Sequence, residues 1–214
     1  MPAPLKLLAR LFVSASLVLW LAHHYQRAIM EPLLPLLSAS VQAADSKFAL
    51  LAMDIDTDGP NQTIRLQADL AAPIIVGGRT FFPFRQGSNQ RGWYEVTLTL
   101  GGAMGYSLLT FIAVLAWPAN RWQEWCIRVL VSLPLALGLL LVNVATTFTA
   151  ELWNPIHNDW VPDVTWPLLI WSRILMGGGG MVLGLLCGAI AIKAGMSGAS
   201  KAADVRIASA SISP

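Results

Sequence analysis

The sequence predicts a mainly α, integral membrane fold in which four transmembrane helices carry a small β-rich extracytoplasmic loop domain, inserted between helices 1 and 2. Three observations predict it. The 214 residues are 55% hydrophobic and only 12% charged, with a mean hydropathy of +0.58, whereas a soluble domain carries about 25% charged residues. Four apolar runs approach the roughly 20 residues that cross hydrocarbon. Between the first two runs lies a long polar stretch with period-two patterning, the signature of strands. Disorder and a disulfide scaffold are excluded by the same composition. No nucleic-acid partner is expected, because 14 Lys+Arg against 12 Asp+Glu leave no basic excess for phosphates.

Residues 1–24 read as an N-terminal membrane anchor, with Lys6 and Arg10 at its edge and the uncharged core Leu11 to Ala22 behind them. Val41-Gln42-Ala43 before Ala44 imitates a signal-peptidase site. His23, His24, Arg27 and Glu31 hold that site too far from the apolar core for cleavage, so an uncleaved anchor is expected.

Residues 25–99 read as an extracytoplasmic helix plus a small β-sheet. Tyr25 to Ala44 is apolar but interrupted by Pro32 and Pro35, which predicts a helical extension rather than a second crossing. In the next segments Ile64, Leu66, Ala68 and Leu70 alternate with polar residues, as do Tyr94, Val96, Leu98 and Leu100. Phe48 to Asp56 leads through a turn-forming Thr-Asp-Gly-Pro-Asn into the first alternating strand, which predicts a hairpin. Short pieces at Pro73 to Val76 and Thr80 to Phe84 are expected to complete the sheet. So small a sheet must lean on the membrane or on a partner.

Residues 100–195 read as a three-helix transmembrane portion, with spans near Leu100 to Trp117, Cys126 to Ala150 and Trp166 to Ile192. An outer loop is expected at 151–165 and a flexible cytoplasmic tail at 196–214. Orientation follows from Lys and Arg in the short loops. Lys6, Arg10, Arg121, Arg128, Lys193, Lys201 and Arg206 flank one side, whereas the loop 151–165 carries only Glu151, Asp159 and Asp163. Both termini are therefore expected inside, with 25–99 and 151–165 periplasmic. Tryptophans 117, 122 and 125 would form the inner belt, and 20, 153, 160, 166 and 171 the outer one.

Three sets of residues bear chemistry. Asp54, Asp56, Asp58 and Gly59 imitate the opening of a calcium loop, but the twelfth position is Arg65 where a bidentate Glu belongs. A solvated acidic turn is the favoured reading. His23, His24 and His157 fall at the outer boundary beside Glu31, Glu151, Asp159 and Asp163, where His23 and His157 are candidate ligands of a zinc or copper site and interfacial hydrogen bonding is the favoured reading. Adjacent His23 and His24 diverge by about 100° on a helix, so no cofactor is expected. In the fourth span, Arg173 precedes Gly177 to Gly180, with Gly184 and Gly188 continuing one face. A face of small residues permits close helix packing, within the chain or with a membrane-protein partner or a second copy through helix 4; a break that gives motion is the alternative. Arg173 is expected to pair with Glu151 or Asp163, and Asn143 to bond between helices. Cys126 and Cys187 face the reducing side, with no Cys-x-x-Cys motif.

Trp93-Tyr94-Glu95-Val96-Thr97-Leu98 entering the second span, and Leu115-Ala116-Trp117-Pro118-Ala119-Asn120-Arg121-Trp122 closing it, resemble the small membrane proteins that accompany bacterial exosortases. That resemblance implies an accessory role in envelope protein sorting. It does not imply the peptidase activity, since the cysteines lie on the wrong side. A claudin-like layout is excluded by the missing cysteine pair in the first outer loop. The sequence therefore predicts a non-catalytic accessory or assembly subunit of the bacterial inner membrane, whose partners are the lipid bilayer and another membrane protein. The competing reading is a small transporter or membrane enzyme built on Arg173, the glycine break and the histidines.

Overall fold

The computed structural model describes residues 3–56, 62–83, 93–119, 121–160 and 167–210. The chain is mainly helical. Helix α1 (Ala3–Met30) passes through a single 3-10 turn at Glu31–Leu33 into α2 (Leu34–Ala44). Strands β1 (Phe48–Asp56), β2 (Thr63–Leu70), β3 (Ile74–Val76), β4 (Arg79–Phe81) and β5 (Tyr94–Thr99) follow. Helices α3 (Leu100–Ala116), α4 (Trp122–Trp160), α5 (Pro167–Ile174) and α6 (Gly180–Ala210) complete the chain, with a π-helical turn at Leu175–Gly179 between the last two. Three helical stretches, Leu5–Ala44, Trp122–His157 and Pro167–Ser197, are long and apolar enough to cross a membrane by length and composition. Helix α3 is apolar but shorter.

The residues cluster into two compact units. A helical unit comprises Met1–His23, Gly105–Leu139 and Met181–Pro214, and a sheet-bearing unit comprises His24–Met104 and Leu140–Gly180.

In the sheet-bearing unit the antiparallel order is β1-β2-β5. Asp54 faces Arg65 and Ile55 faces Ile64 across one ladder, while Leu66 faces Val96 across the other. The alternation seen in the sequence is the pleat itself. Ile64, Leu66 and Ala68 are fully buried while Thr63, Arg65 and Gln67 between them are half-buried; at the strand end Asp69 and Leu70 are both buried. A bulge at Leu51 shifts the β1 register. Helix α2 packs beside β1 and contributes buried Leu37 and Val41. Pro32 and Pro35 each sit in the first turn of a new helical segment, where a missing N–H costs nothing.

Two expectations are corrected. The pieces at 73–84 do not join the sheet but form a separate β3–β4 hairpin. Gly77 and Gly78 adopt φ of 58° and 78°, the left-handed pair that makes a tight two-residue hairpin turn, so three-residue strands pair locally. Residues 151–160, expected as the start of a loop, continue α4 despite Pro155. Phe148, Leu152, Trp153 and Ile156 lie on one buried face there, and this packing outweighs the proline penalty. Trp153 is consequently a core residue, 2% exposed, and not part of an interfacial belt.

In the helical unit, α6 runs against α3. An added Cβ at Gly184 would lie 2.5 Å from the Tyr106 carbonyl oxygen, and one at Gly188 would lie 2.7 Å from the Ala113 Cβ. Thr110 donates its hydroxyl to the Gly184 carbonyl at 3.0 Å, and Ser107 donates to the Ala136 carbonyl of α4 at 2.8 Å. The face of small residues is therefore a seam between helices of one chain.

Candidate functional site

The most buried polar constellation begins where α3 ends. Pro118 cannot continue a helix, and the Trp117 and Pro118 carbonyls point past its end. Arg128, in the second turn of α4, donates to both, at 3.1 and 3.3 Å. The same guanidinium pairs with Glu124, four residues earlier on the helix face. Arg128 is 1% exposed and Glu124 is also buried. Helix α6 closes over them at Gly195, where a Cβ would fall 2.9 Å from the Glu124 carbonyl oxygen and would also collide with the Arg128 side chain. Three helices thus meet on one charge pair. Its chemistry is that of a clamp: the cation satisfies helix-end carbonyls and offsets their partial negative charge, and the carboxylate balances the cation.

The sequence placed Arg128 among the loop cations that set orientation. The available signal was Glu124 and Arg128 at i,i+4 beside an apolar run. That spacing on most helices is a solvated pair, and the glycine that seals it lies far along the chain.

The sheet-bearing unit has its own anchor. Asp45, which ends α2 in an extended conformation, accepts from the Trp153 indole N–H at 2.6 Å and from the Lys47 backbone N–H at 2.9 Å. Phe48 packs edge-on against Trp153 and Tyr94, with centroids at 5.4 and 6.1 Å. The Lys47 ammonium stands 5.1 Å over the Trp153 ring, a cation–π contact. Burial, and secondarily the charge of Asp69, raises the Tyr94 phenol above its ordinary pKa.

The residues singled out in the sequence separate into distinct places. Arg65, opposite Asp54 in register, pairs with Asp54 at 3.0 Å and with Asp56 at 3.4 Å. The hydrogen bond that Arg65 donates to Asp54 chiefly raises the Arg65 pKa, helped by the charges of Asp54, Asp56 and Glu95. The residue that spoils the calcium motif is thus the one occupying its carboxylates; Asp58 lies outside the described residues. His23 belongs to the helical unit and half-buried His157 to the sheet-bearing unit. Among the described residues, no three His, Cys, Asp or Glu side chains gather as a metal site would require. Cys126 and Cys187 are unpaired.

Asn143 is 6% exposed and donates to the Gly102 and Ala103 carbonyls at 3.3 and 3.0 Å, tying α4 to the first turn of α3. Arg173 is exposed and makes no ion pair among the described residues; Asp163, one of its two expected partners, lies outside them. The glycine run divides by role. Gly178 has φ of 112° in the π turn, a conformation that requires glycine. Gly177 has open space around it, whereas a Cβ at Gly179 would meet the Ile174 carbonyl oxygen at 2.7 Å. Gly180 is buried and begins α6.

Fold and site define a mainly helical chain with three apolar helices of membrane-crossing length, a small antiparallel sheet and two structural polar anchors. No family model, no curated protein and no solved structure matches the chain.

Proposed function

We propose that this chain is a non-catalytic, four-span protein of a bacterial inner membrane, acting as an accessory or assembly subunit of a larger envelope complex. The observation that carries the reading is a contrast in how side chains are used. Bulky apolar side chains stand exposed along the long helices, among them Phe12 at 74%, Leu130 at 71% and Val182 at 57%, as a lipid-facing surface requires. The polar side chains that the fold assembles, Arg128 with Glu124, Trp153 with Asp45 and Asn143 with two carbonyls, are spent on holding helices and strands. Helix α3 crosses as the short fourth span, kept in place by its glycine seam with α6; a short span is accommodated by local thinning or snorkelling.

Since that seam is filled within the chain, partner docking falls to the sheet. Among the described residues β1 and β5 each have one strand neighbour, and such edges accept a further strand. Purification from native membranes in mild detergent tests the reading: a stoichiometric partner is expected, and a monodisperse protein recovered alone sinks it. For orientation, Asp58→Cys should label from the periplasmic side and Ser200→Cys should not, in a background lacking Cys126 and Cys187.

A second reading is favoured by the left-handed Gly178, one turn after exposed Arg173. A break of that kind beside an intramembrane charge suits a transporter or membrane enzyme. Under it, Arg173→Ala abolishes a solute-dependent activity.

A further inference from the structure

The helical unit contains a cavity of about 450 Å³ walled by α1 and by the chain around the end of α3. Its lining includes Arg10, Val13 and Ser14 from α1, Trp117 and Pro118 beyond α3, and Trp125 from α4. We propose that this cavity binds the headgroup of an anionic phospholipid, with the Arg10 guanidinium on the phosphate and the acyl chains along α1. The proposal rests on the membrane reading above.

Charge decides the ligand class. Among the described residues Arg10 makes no ion pair and no Asp or Glu lines the cavity. The Trp117 and Pro118 carbonyls would ordinarily oppose an anion, being helix-end acceptors. Arg128 already donates to both, so their partial charge is satisfied from behind and Arg10 dominates the opening. Ser14, 8% exposed, adds a hydroxyl that can donate to a phosphate oxygen. A zwitterionic headgroup would bring an ammonium with no carboxylate to meet it.

Lipid rather than free phosphate is indicated by what adjoins the charge. Val13 and Leu17, 64 and 51% exposed, follow Arg10 on the same face of α1, an apolar track leading away from it. Tryptophans at the rim are the side chains that settle at headgroup depth. Trp125 is braced there by stacking on Trp122, with centroids 5.4 Å apart.

The test reconstitutes the full chain in nanodiscs with equal parts phosphatidylglycerol and phosphatidylcholine, and counts retained lipids by native mass spectrometry after mild extraction. Wild-type protein should retain phosphatidylglycerol preferentially. Arg10→Gln should lower that preference about fivefold, the effect of one cation near an anionic surface. Ser14→Leu, which keeps the charge and fills the cavity, should lower it comparably, and Lys193→Gln should leave it unchanged.

Equal losses in Arg10→Gln and Lys193→Gln would mean diffuse surface attraction and overturn the site. So would an unaltered preference in Ser14→Leu, or a wild-type preference for phosphatidylcholine. Displacement of the lipid by soluble glycerol phosphate would reassign the cavity to a free phosphate ester. Normal reconstitution without any lipid preference removes this site alone, whereas failure to enter the bilayer removes the membrane reading and the site with it.

Discussion

The helical unit and the sheet-bearing unit both use an arginine against carboxylates, yet the two arginines do different work. Arg128 is sealed at 1% exposure between helix-end carbonyls, Glu124 and Gly195. Arg65 lies on the open face of a sheet, paired across strands with Asp54 and, along β1, with Asp56. Burial is what separates them. In a water-poor interior, breaking a pair strands a desolvated charge, whereas an exposed pair is replaced by water. The sheet-bearing unit instead places a short polar contact, Trp153 to Asp45, beside an aromatic cluster.

The sharpest way to break this comparison is to remove one partner from each pair. Glu124→Ala leaves Arg128 buried and uncompensated and should cost about 3–5 kcal/mol, read as a large drop in the thermal midpoint in mild detergent. Arg65→Met should leave the midpoint nearly unchanged. Equal effects would mean that water reaches Arg128.

Glycines extend the contrast. In the helical unit Gly184→Leu must displace the Tyr106 backbone, so overpacking should cost about 1–3 kcal/mol. In the sheet-bearing unit Gly178 has no neighbour for a Cβ to strike; its constraint is its backbone angle, and Gly178→Ala should cost about 1–2 kcal/mol. Gly177→Ala, next to it in open space, should stabilise by about 0.5–1 kcal/mol. If the two alanines behave alike, the π turn is not held at Gly178.

The degree to which each region was legible follows from the range of its interactions. The β1–β2 hairpin and β5 were readable because pleat alternation is local, as was the interruption of the apolar stretch at Pro32 and Pro35. The i,i+4 and small-residue spacings were visible as well. What each faced was not: Gly184 and Gly188 meet α3 of the same chain, and Arg128 meets carbonyls across a turn. Trp153 shows the same gap, since a tryptophan at a span boundary has the composition of an interfacial belt, and only Asp45 and Phe48, far upstream, make it core. The β3–β4 hairpin was missed as a separate unit because strand propensity does not say which strand is the partner. Its Gly77-Gly78 turn carried that information.

The smallest expected effect concerns pH and belongs to the sheet-bearing unit. Tyr94 packs against Phe48, and burial, then the charge of Asp69, raises its phenol above the ordinary value of 10.0. The folded state therefore holds this proton more tightly than the unfolded chain does. The corresponding stability is complete below about pH 10, where both states are protonated, and is lost as pH rises through the raised value. Tyr94→Phe keeps the ring and removes the ionisation, so its midpoint relative to wild type should improve only above pH 10. Hydrogen exchange gives the spatial readout: alkaline pH should loosen wild-type β2 and β5 amides beyond those of the variant, after correction for intrinsic exchange, with α6 alike in both. A variant whose advantage is constant across pH would show that the phenol is not the titrating group, and a loss shared by α6 would mean the two units do not respond separately.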